Sequence, residues 1–318
     1  INFVGPGGIW RNLVSLDGRE LYRFGLRGKE FYDNPEAIDV PKLFREVAGD
    51  KAPFEVISVG RWTARNVVAD RYQVGRVFFA GDAAHLNHPA SGLGLNTGLG
   101  DATNIGWKLA ATLSGWGGAG LPPSYEAERR PIAARNVAHA ERMNKNDRGQ
   151  KPPAEIVDDS PAGAQARKEM GERIAAALKQ KFVTNGLALG YSYAGSPVCM
   201  ACADPAPPES VSDYVPSTYP GLRAPHAWLS QDRSTLDLFG DGFTLMAFAQ
   251  DGETPTRMTA AFAARGVPLR VEAVADPAVR ALYERNFVLV RPDGHVAWRG
   301  DGAPADPLAI ADCVRGAA

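Results

Sequence analysis

Residues Arg76–Leu113 read RVFFAGDAAHLNHPASGLGLNTGLGDATNIGWKLAATL. An apolar run, a Gly-Asp pair, a loop rich in Pro and Gly and a long helical pattern follow one another without a break. The run Val77–Ala80 is continuous, of the kind a parallel sheet buries on both faces. The reading therefore expects a strand with Asp82 beyond its carboxyl end, where open α/β folds place ligands. Gly92 and Gly94 allow a backbone to approach a flat or anionic ligand, and the free N–H groups of the helix start that follows favour negative charge. On residue chemistry alone, an anion-binding helix start beside a carboxylate stands level with an ordinary glycine turn. The Gly-Asp pair is unspecific by itself, since it recurs at Gly240-Asp241 and Gly300-Asp301.

Working outward, Leu99, Ala102, Ile105, Leu109 and Leu113 recur at spacings of three or four and predict one apolar helix stripe facing a core. SGWGGAG (Ser114–Gly120) ends that helix. A second helix is expected after Pro122-Pro123, with Glu126 and Glu128 in a first turn that favours acid. Pro131 either kinks it or marks its start. Upstream, NLVSL (Asn12–Leu16), ELYRFGL (Glu20–Leu26) and FEVISVGRW (Phe54–Trp62) alternate with turns such as Asp17-Gly18, as in a mainly antiparallel sheet. PKLFREVAG (Pro41–Gly49) interrupts it as a short helix.

Downstream of the Pro-rich tract ADPAPPES (Ala203–Ser210), the pattern is β-α-β-α-β-β-α. The strands are expected at Phe243–Ala249, PLRVEAVA, FVLVR and HVAWR, with helices at Pro255–Ala264, Pro277–Glu284 and Pro307–Arg315. Pro292-Asp293-Gly294 turns the last strand pair into a hairpin. The fold class is α/β. Residues 1–72 are expected to form a β-rich region, 73–150 an α/β region around the Asp82 loop, 151–220 a helical and Pro-rich connector, and 221–318 a mixed-sheet α/β domain.

The composition excludes several classes. With 35 basic and 36 acidic residues among 318, the net charge is -1, so nothing steers the chain toward nucleic acid or an anionic membrane. No apolar run approaches the roughly 20 residues that span a bilayer. Ile1 opens the sequence with neither the basic start nor the apolar centre of a secretory signal. Three cysteines make no disulfide framework, so a reducing, cytoplasmic location is expected. Cys199 and Cys202 form a C-x-x-C, but in a Pro-rich loop with no helix N-terminus to lower a thiol pKa; coincidence is the favoured reading, and no metal site is expected.

The ordered string Gly81-Asp82-Ala83-Ala84-His85, Pro89, Gly92, Gly94, Asn96, Gly98, Asp101-Ala102, Asn104 and Trp107-Lys108-Leu109-Ala110 resembles the second flavin motif of the class A FAD-dependent aromatic monooxygenases. YEAERRPIA (Tyr125–Ala133) resembles the family too. GYSYAGSPV, PGLRAPHAWL, STLDLFGDGFTLM and FVLVRPDGHVAWRG resemble its phenol and polyketide hydroxylase branch, which ends in a thioredoxin-like domain.

The resemblance implies a Rossmann-like FAD-binding domain with an antiparallel-sheet substrate domain. It implies FAD as cofactor, NAD(P)H as co-substrate, O2, and a small phenolic or polyketide-like aromatic substrate. In the family NAD(P)H reduces the flavin, and a C4a-hydroperoxide passes one oxygen to an activated ring. Gly81 and Asp82 would hold the ribityl chain. Gly92, Leu93, Gly94, Leu95 and Asn96 would turn backbone N–H groups to the flavin pyrimidine edge, and Pro89 would lie against the isoalloxazine. Trp62, Asn66 and His88 are candidates to line the substrate cavity. No residue is assigned as the catalytic base. His85 is expected to fix the loop. The terminal domain has no cysteine pair after its first strand, so packing or homodimer contact is its expected role.

The sequence also departs from the family. His88 stands where a second proline is usual, and Ser91 where a glycine is usual. GPGGIW (Gly5–Trp10) lacks the G-x-G-x-x-G spacing and the preceding strand of an ADP-binding start. SLDGREL does not match the family's Asp-Gly segment either. The chain is thus expected to correspond to roughly the C-terminal three-fifths of such an enzyme. A Baeyer–Villiger relative is a variant within this reading. The alternative is a non-catalytic stand-alone binding module.

Overall fold

The runs near the N-terminus fold as a three-stranded antiparallel sheet of β1 (Asn2–Gly5), β2 (Gly8–Ser15) and β3 (Tyr22–Leu26), in that order. The expected Asp17-Gly18 turn joins β2 to β3: Asp17 Oδ1 accepts the N–H groups of Arg19, Glu20 and Leu21 at 2.9–3.1 Å. Helix α1 (Val40–Ala48) starts on Asp39, whose side chain accepts the Lys42 N–H, and closes at Gly49. Phe44 on α1 meets Phe24 of β3 at 5.5 Å and Phe54 at 4.4 Å between ring centroids, which seats the helix on the sheet.

The expected strand Phe54–Trp62 does not form. The segment carries no ladder, and Ile57 and Trp62 are 76% and 68% exposed. β propensity is realised only where a neighbouring strand supplies hydrogen bonds, and among the described residues none pairs here.

The computed structural model describes residues 1–5, 8–26, 31, 33–89, 92–149 and 151–318. Pro6 and Gly7 of the GPGGIW segment, and Ser91, lie outside these. Residues 1–65 with 142–181 form one unit, and residues 66–141 with 182–318 form a second.

In the second unit, β4 (Val67–Val68), β5 (Gln73–Val74), β6 (Val77–Phe78) and β7 (His85–Leu86) make two antiparallel ladders, β4 with β7 and β5 with β6. This corrects the reading of Val77–Ala80 as a buried parallel strand: only Val77–Phe78 is strand, and Val77 is exposed. A parallel strand of that kind needs neighbours on both edges and layers on both faces; here it has one antiparallel neighbour.

Two long helices follow, α2 (Leu93–Leu113) and α3 (Ser124–Gly149), with Pro131 inside α3. The start of α3 pins the β5–β6 ladder. Glu126 Oε2 accepts the Tyr72 and Gln73 N–H groups, and the Tyr125 hydroxyl donates to the Phe79 carbonyl at 2.7 Å.

The apolar stripe expected on α2 is also corrected. Its buried residues are Leu93, Thr97, Asp101, Asn104, Ile105, Lys108 and Ala111, so only Ile105 of the expected stripe is buried; Leu99 and Leu113 are exposed. The inward face is polar because charged partners from distant parts of the chain meet it there.

Beyond α4 (Pro161–Phe182) and α5 (Asn185–Leu189), the pattern expected from Phe243 onward forms in full. Strands β8 (Phe243–Ala247), β9 (Leu269–Ala273), β10 (Phe287–Val290) and β11 (Val296–Gly300) alternate with α6 (Glu253–Ala264), α7 (Pro277–Tyr283) and α8 (Pro307–Val314). The sheet order is β11-β10-β8-β9, with β8 and β9 parallel and β10 antiparallel to both its neighbours. Gly294, at φ 78°, makes the expected β10–β11 turn.

One face of this sheet shares its core with the end of α2. Trp116 and Leu121 join Phe243, Leu245, Phe262 and Ile310 in one buried cluster. Trp107 stacks on Trp116 with ring centroids 6.3 Å apart, while Phe243 meets both edge-on. Burial of such aromatics contributes about 2–3 kcal/mol each, so the α2 end and the terminal sheet belong to one folding unit.

Candidate cofactor site

Gly81–Ala83 forms a single 3-10 turn after β6. Gly81 has φ +56°, and a Cβ on Gly98 of α2 would lie 3.2 Å from the Gly81 Cα. These two glycines let the turn lie directly against the helix. Gly98 is five residues into α2, about 7.5 Å from its start along the axis. The carboxylate turn and the helix N-terminus are therefore within the span of one cofactor. Asp82 is exposed, and among the described residues no hydrogen bond to it is found.

The helix start itself is open. Gly92 is its N-cap at φ 64°, ψ 18°, and among the described residues no side chain caps the first-turn N–H groups. Asn96, which could have served, turns back to donate to the Gly92 carbonyl at 2.9 Å. The Gly92 N–H is taken by the Pro89 carbonyl at 3.2 Å. Pro89, Gly92, Leu95 and Asn96 are exposed, Gly94 is half-buried and Leu93 is buried. Uncapped N–H groups carry partial positive charge. With a free carboxylate alongside, they fit a ligand with an anionic flat edge and a hydroxylated chain, as FAD has.

The motif's other polar residues do not face that opening; they build what lies beneath it. Asp101 Oδ2 accepts the Gly81 N–H at 3.0 Å and faces His85 Nε2 at 2.9 Å. Its Oδ1 accepts Arg129 Nε at 2.8 Å. Arg129 also donates to the Thr97 carbonyl at 3.0 Å and to the Tyr193 hydroxyl at 2.9 Å. His85 is buried and lies 3.2 Å from Asn87 Oδ1 through Nδ1, so it fixes the loop, as the sequence suggested.

Lower on α2, Asn104 and Lys108 donate to Glu128 Oε2 at 2.6 and 2.7 Å. Arg291 grips both Glu128 oxygens at 2.6 and 2.9 Å, and Ser196 donates to Oε1. The Arg291–Glu128 fork is bidentate, the geometry that gives charge-assisted pairs their directionality.

The electrostatics follow from burial set against pairing. Burial pushes the Asp101 carboxyl up, but His85 and Arg129 outweigh it and leave the group below the usual carboxylate range. The same contest, with Arg291 and Lys108 as partners, holds Glu128 low. Asp293 is likewise held low against burial, by Arg291 and His295. Lys108 goes the other way, since burial outweighs Glu128 and brings it down to about 8. Arg291 Nη1 donates to Cys199 Sγ at 3.5 Å, but burial outweighs it and pushes this thiol up to about 11; all three cysteines are free, and Cys199 is not an activated thiol.

Asn66 Oδ1 accepts the His88 N–H at 2.8 Å, so these two candidates meet and tie the β7 loop down; both are half-buried. Trp62 is exposed and belongs to the other unit. Two concavities lie elsewhere in the second unit. One, of about 140 Å³, is lined by Glu128, Tyr193 and Ser196; the other, an open groove of about 500 Å³, by Arg71, Gln73, Glu126 and Arg130. The buried roles of Arg129, Tyr193, Arg291 and Asp293 had no assignment from sequence. Their one visible signal was the polar spacing Thr97, Asp101, Asn104, Lys108, which lies on a single helix face.

Comparison with known proteins finds matches along most of the chain. Residues 32–140 match the FAD binding domain family, and residues 217–315 match the aromatic-ring hydroxylase C-terminal family. The FAD-dependent monooxygenase apdD of Emericella nidulans is 37% identical over 78% of this chain and 42% of its own length. The tetracenomycin B2 monooxygenase-dioxygenase of Streptomyces olivaceus is 36% identical over 82% of this chain and 46% of its own. Among solved structures, RebC with bound 7-carboxy-K252c superposes with a TM-score of 0.87 at 42% identity, over 96% of this chain and 57% of that one. PieE in complex with FAD and substrate gives 0.84 at 29% identity, over 99% and 60%. The chain thus spans about half the length of the curated relatives it matches. With both family matches in order along the chain, it carries an FAD binding domain segment and an aromatic-ring hydroxylase C-terminal segment, and over about half their length it is similar to FAD-dependent aromatic monooxygenases.

Proposed function

We propose that the chain contributes the flavin-holding and C-terminal regions of an FAD-dependent monooxygenase that hydroxylates a phenolic or polyketide-like aromatic with NAD(P)H and O2. The observation that carries this is the pairing of the exposed Asp82 carboxylate with the uncapped start of α2, set against each other by the Gly81–Gly98 contact. When bound, the flavin accepts hydride from NAD(P)H and supplies activated oxygen to the ring.

The chain's own residues bind and orient. Asp82 accepts from the ribityl hydroxyls, and the N–H groups of Leu93, Gly94 and Leu95 stabilise negative charge at the pyrimidine edge. Pro89 would border the isoalloxazine, and His88 and Asn66, which meet in the second unit, are candidates to line the substrate cavity. The domain layout we propose is the one read from the sequence. Residues 1–72 belong to the substrate domain and 73–150 to the FAD domain, 151–220 connect, and 221–318 form a thioredoxin-like domain.

The relatives' names support the substrate class, since the Streptomyces olivaceus enzyme is named for tetracenomycin B2. The test is consumption of NAD(P)H by the FAD-loaded protein against a panel of phenols and polycyclic polyketides, with product mass followed. A gain of one oxygen atom in an aromatic substrate is the expected result. FAD binding with no oxygen transfer to any of them would favour the non-catalytic module.

A further inference from the structure

The β10–β11 turn of the terminal sheet reaches into α2. Asp293, in that turn, accepts from Trp107 Nε1 at 3.1 Å and Asn104 Nδ2 at 3.3 Å. Arg291 bonds Asp293 on one side and Glu128 of α3 on the other, and its side chain is wholly buried. Asn104 lies one helical turn, about 5 Å, below Asp101, and Asp101 holds the Gly81 N–H. A second path leads to the same place. From Asp101 it passes through Arg129 to the Tyr193 hydroxyl, and the Tyr193 ring lies 4.3 Å from the ring of His295, two residues beyond Asp293.

We propose that the Arg291–His295 turn is a positioning element for the flavin site, setting the height and rotation of α2 and, through Asp101, the place of Gly81 and Asp82. This rests on the flavin reading above. Packing alone does not call for such a turn, because a buried ion network generally stabilises no more than well-packed apolar side chains of the same volume. Directional bonds do what apolar contact cannot: they select one setting of the helix. The terminal domain, which has no thiol pair of its own, thereby acquires a role in cofactor geometry.

The test compares Asp293→Asn and Trp107→Phe with Val279→Ala, a core substitution in α7 on the other face of the sheet. Two readouts are taken: hydrogen exchange of the Gly81 amide in protein free of flavin, and the FAD Kd. Asp293→Asn and Trp107→Phe are each expected to speed Gly81 exchange about tenfold and to weaken FAD by a similar factor, the effect of one lost charge-assisted bond. Val279→Ala, compared at equal loss of Tm, should change neither by more than about twofold. Equal exchange and equal Kd across all three at matched Tm would overturn the proposal. Should Asp293→Asn fail to fold, Trp107→Phe, which keeps an aromatic ring in the core and loses the Nε1 donor, decides alone at matched Tm. Should FAD bind to no form, wild type included, the flavin reading falls, and Gly81 exchange still decides the positioning claim.

Discussion

Asp82 and Asp101 are nineteen residues apart in one motif and have opposite fates. Asp82 is exposed and makes no hydrogen bond among the described residues, whereas Asp101 is fully buried with Gly81, His85 and Arg129 around it. Asp82→Ala should change unfolding free energy by less than about 0.5 kcal/mol and weaken FAD about tenfold or more. Asp101→Asn should cost about 3–5 kcal/mol, because it leaves Arg129 as an uncompensated buried charge; urea unfolding of the two variants separates them. A destabilised Asp82→Ala would mean that the carboxylate has a structural partner. The sequence made Asp82 legible because its neighbours carry the signal. The work of Asp101, Asn104 and Lys108 was not legible, because Arg129, Glu128 and Asp293 reach them from 20 to 189 residues away.

At the scale of elements, α2 shows how a helix can be placed correctly and its faces reversed. The leucines and the polar residues both recur at spacings of three and four, so periodicity alone could not choose between them. Charge pairing chose: three anions (Asp101, Glu128, Asp293) meet three cations (Lys108, Arg129, Arg291) around the polar face. Strands were legible where the sheet is complete, as in β8, β10 and β11, and misread at Val77–Ala80 and Phe54–Trp62, where the partners that would realise β propensity are not among the described residues.

The contact between turn and helix gives an element-scale prediction. Gly98→Ala gains about 1 kcal/mol of helix propensity, but its Cβ meets Gly81 at 3.2 Å and pushes the Asp82 turn outward. Tm should therefore stay nearly constant while FAD affinity falls; a variant that binds FAD as wild type does would show that the turn has room to yield.

For the whole molecule, the buried ion network ties stability to pH. Asp101, Glu128 and Asp293 titrate below their ordinary values of 3.8, 4.5 and 3.8. As pH falls through about 4.5, the unfolded chain takes up protons that the folded one resists, so stability present above that pH is lost on further acidification. Lys108, lowered from 10.5 to about 8, acts in the other direction: between these values the unfolded chain holds the extra proton, and this group's contribution to stability rises with pH. Tm followed from about pH 3 to about pH 9 should show a steep acid limb and no early alkaline loss from the core. A flat acid limb would mean that the network is open to solvent.

The central proposal is that Gly81–Asp82 and the Gly92–Asn96 helix start form a flavin cradle. The most direct measurement is titration of FAD into the wild-type protein and Asp82→Ala, following quenching of flavin fluorescence. Saturable binding by the wild type, weakened about tenfold or more in the variant at unchanged Tm, is the predicted result. Equal affinity in the two proteins would contradict it.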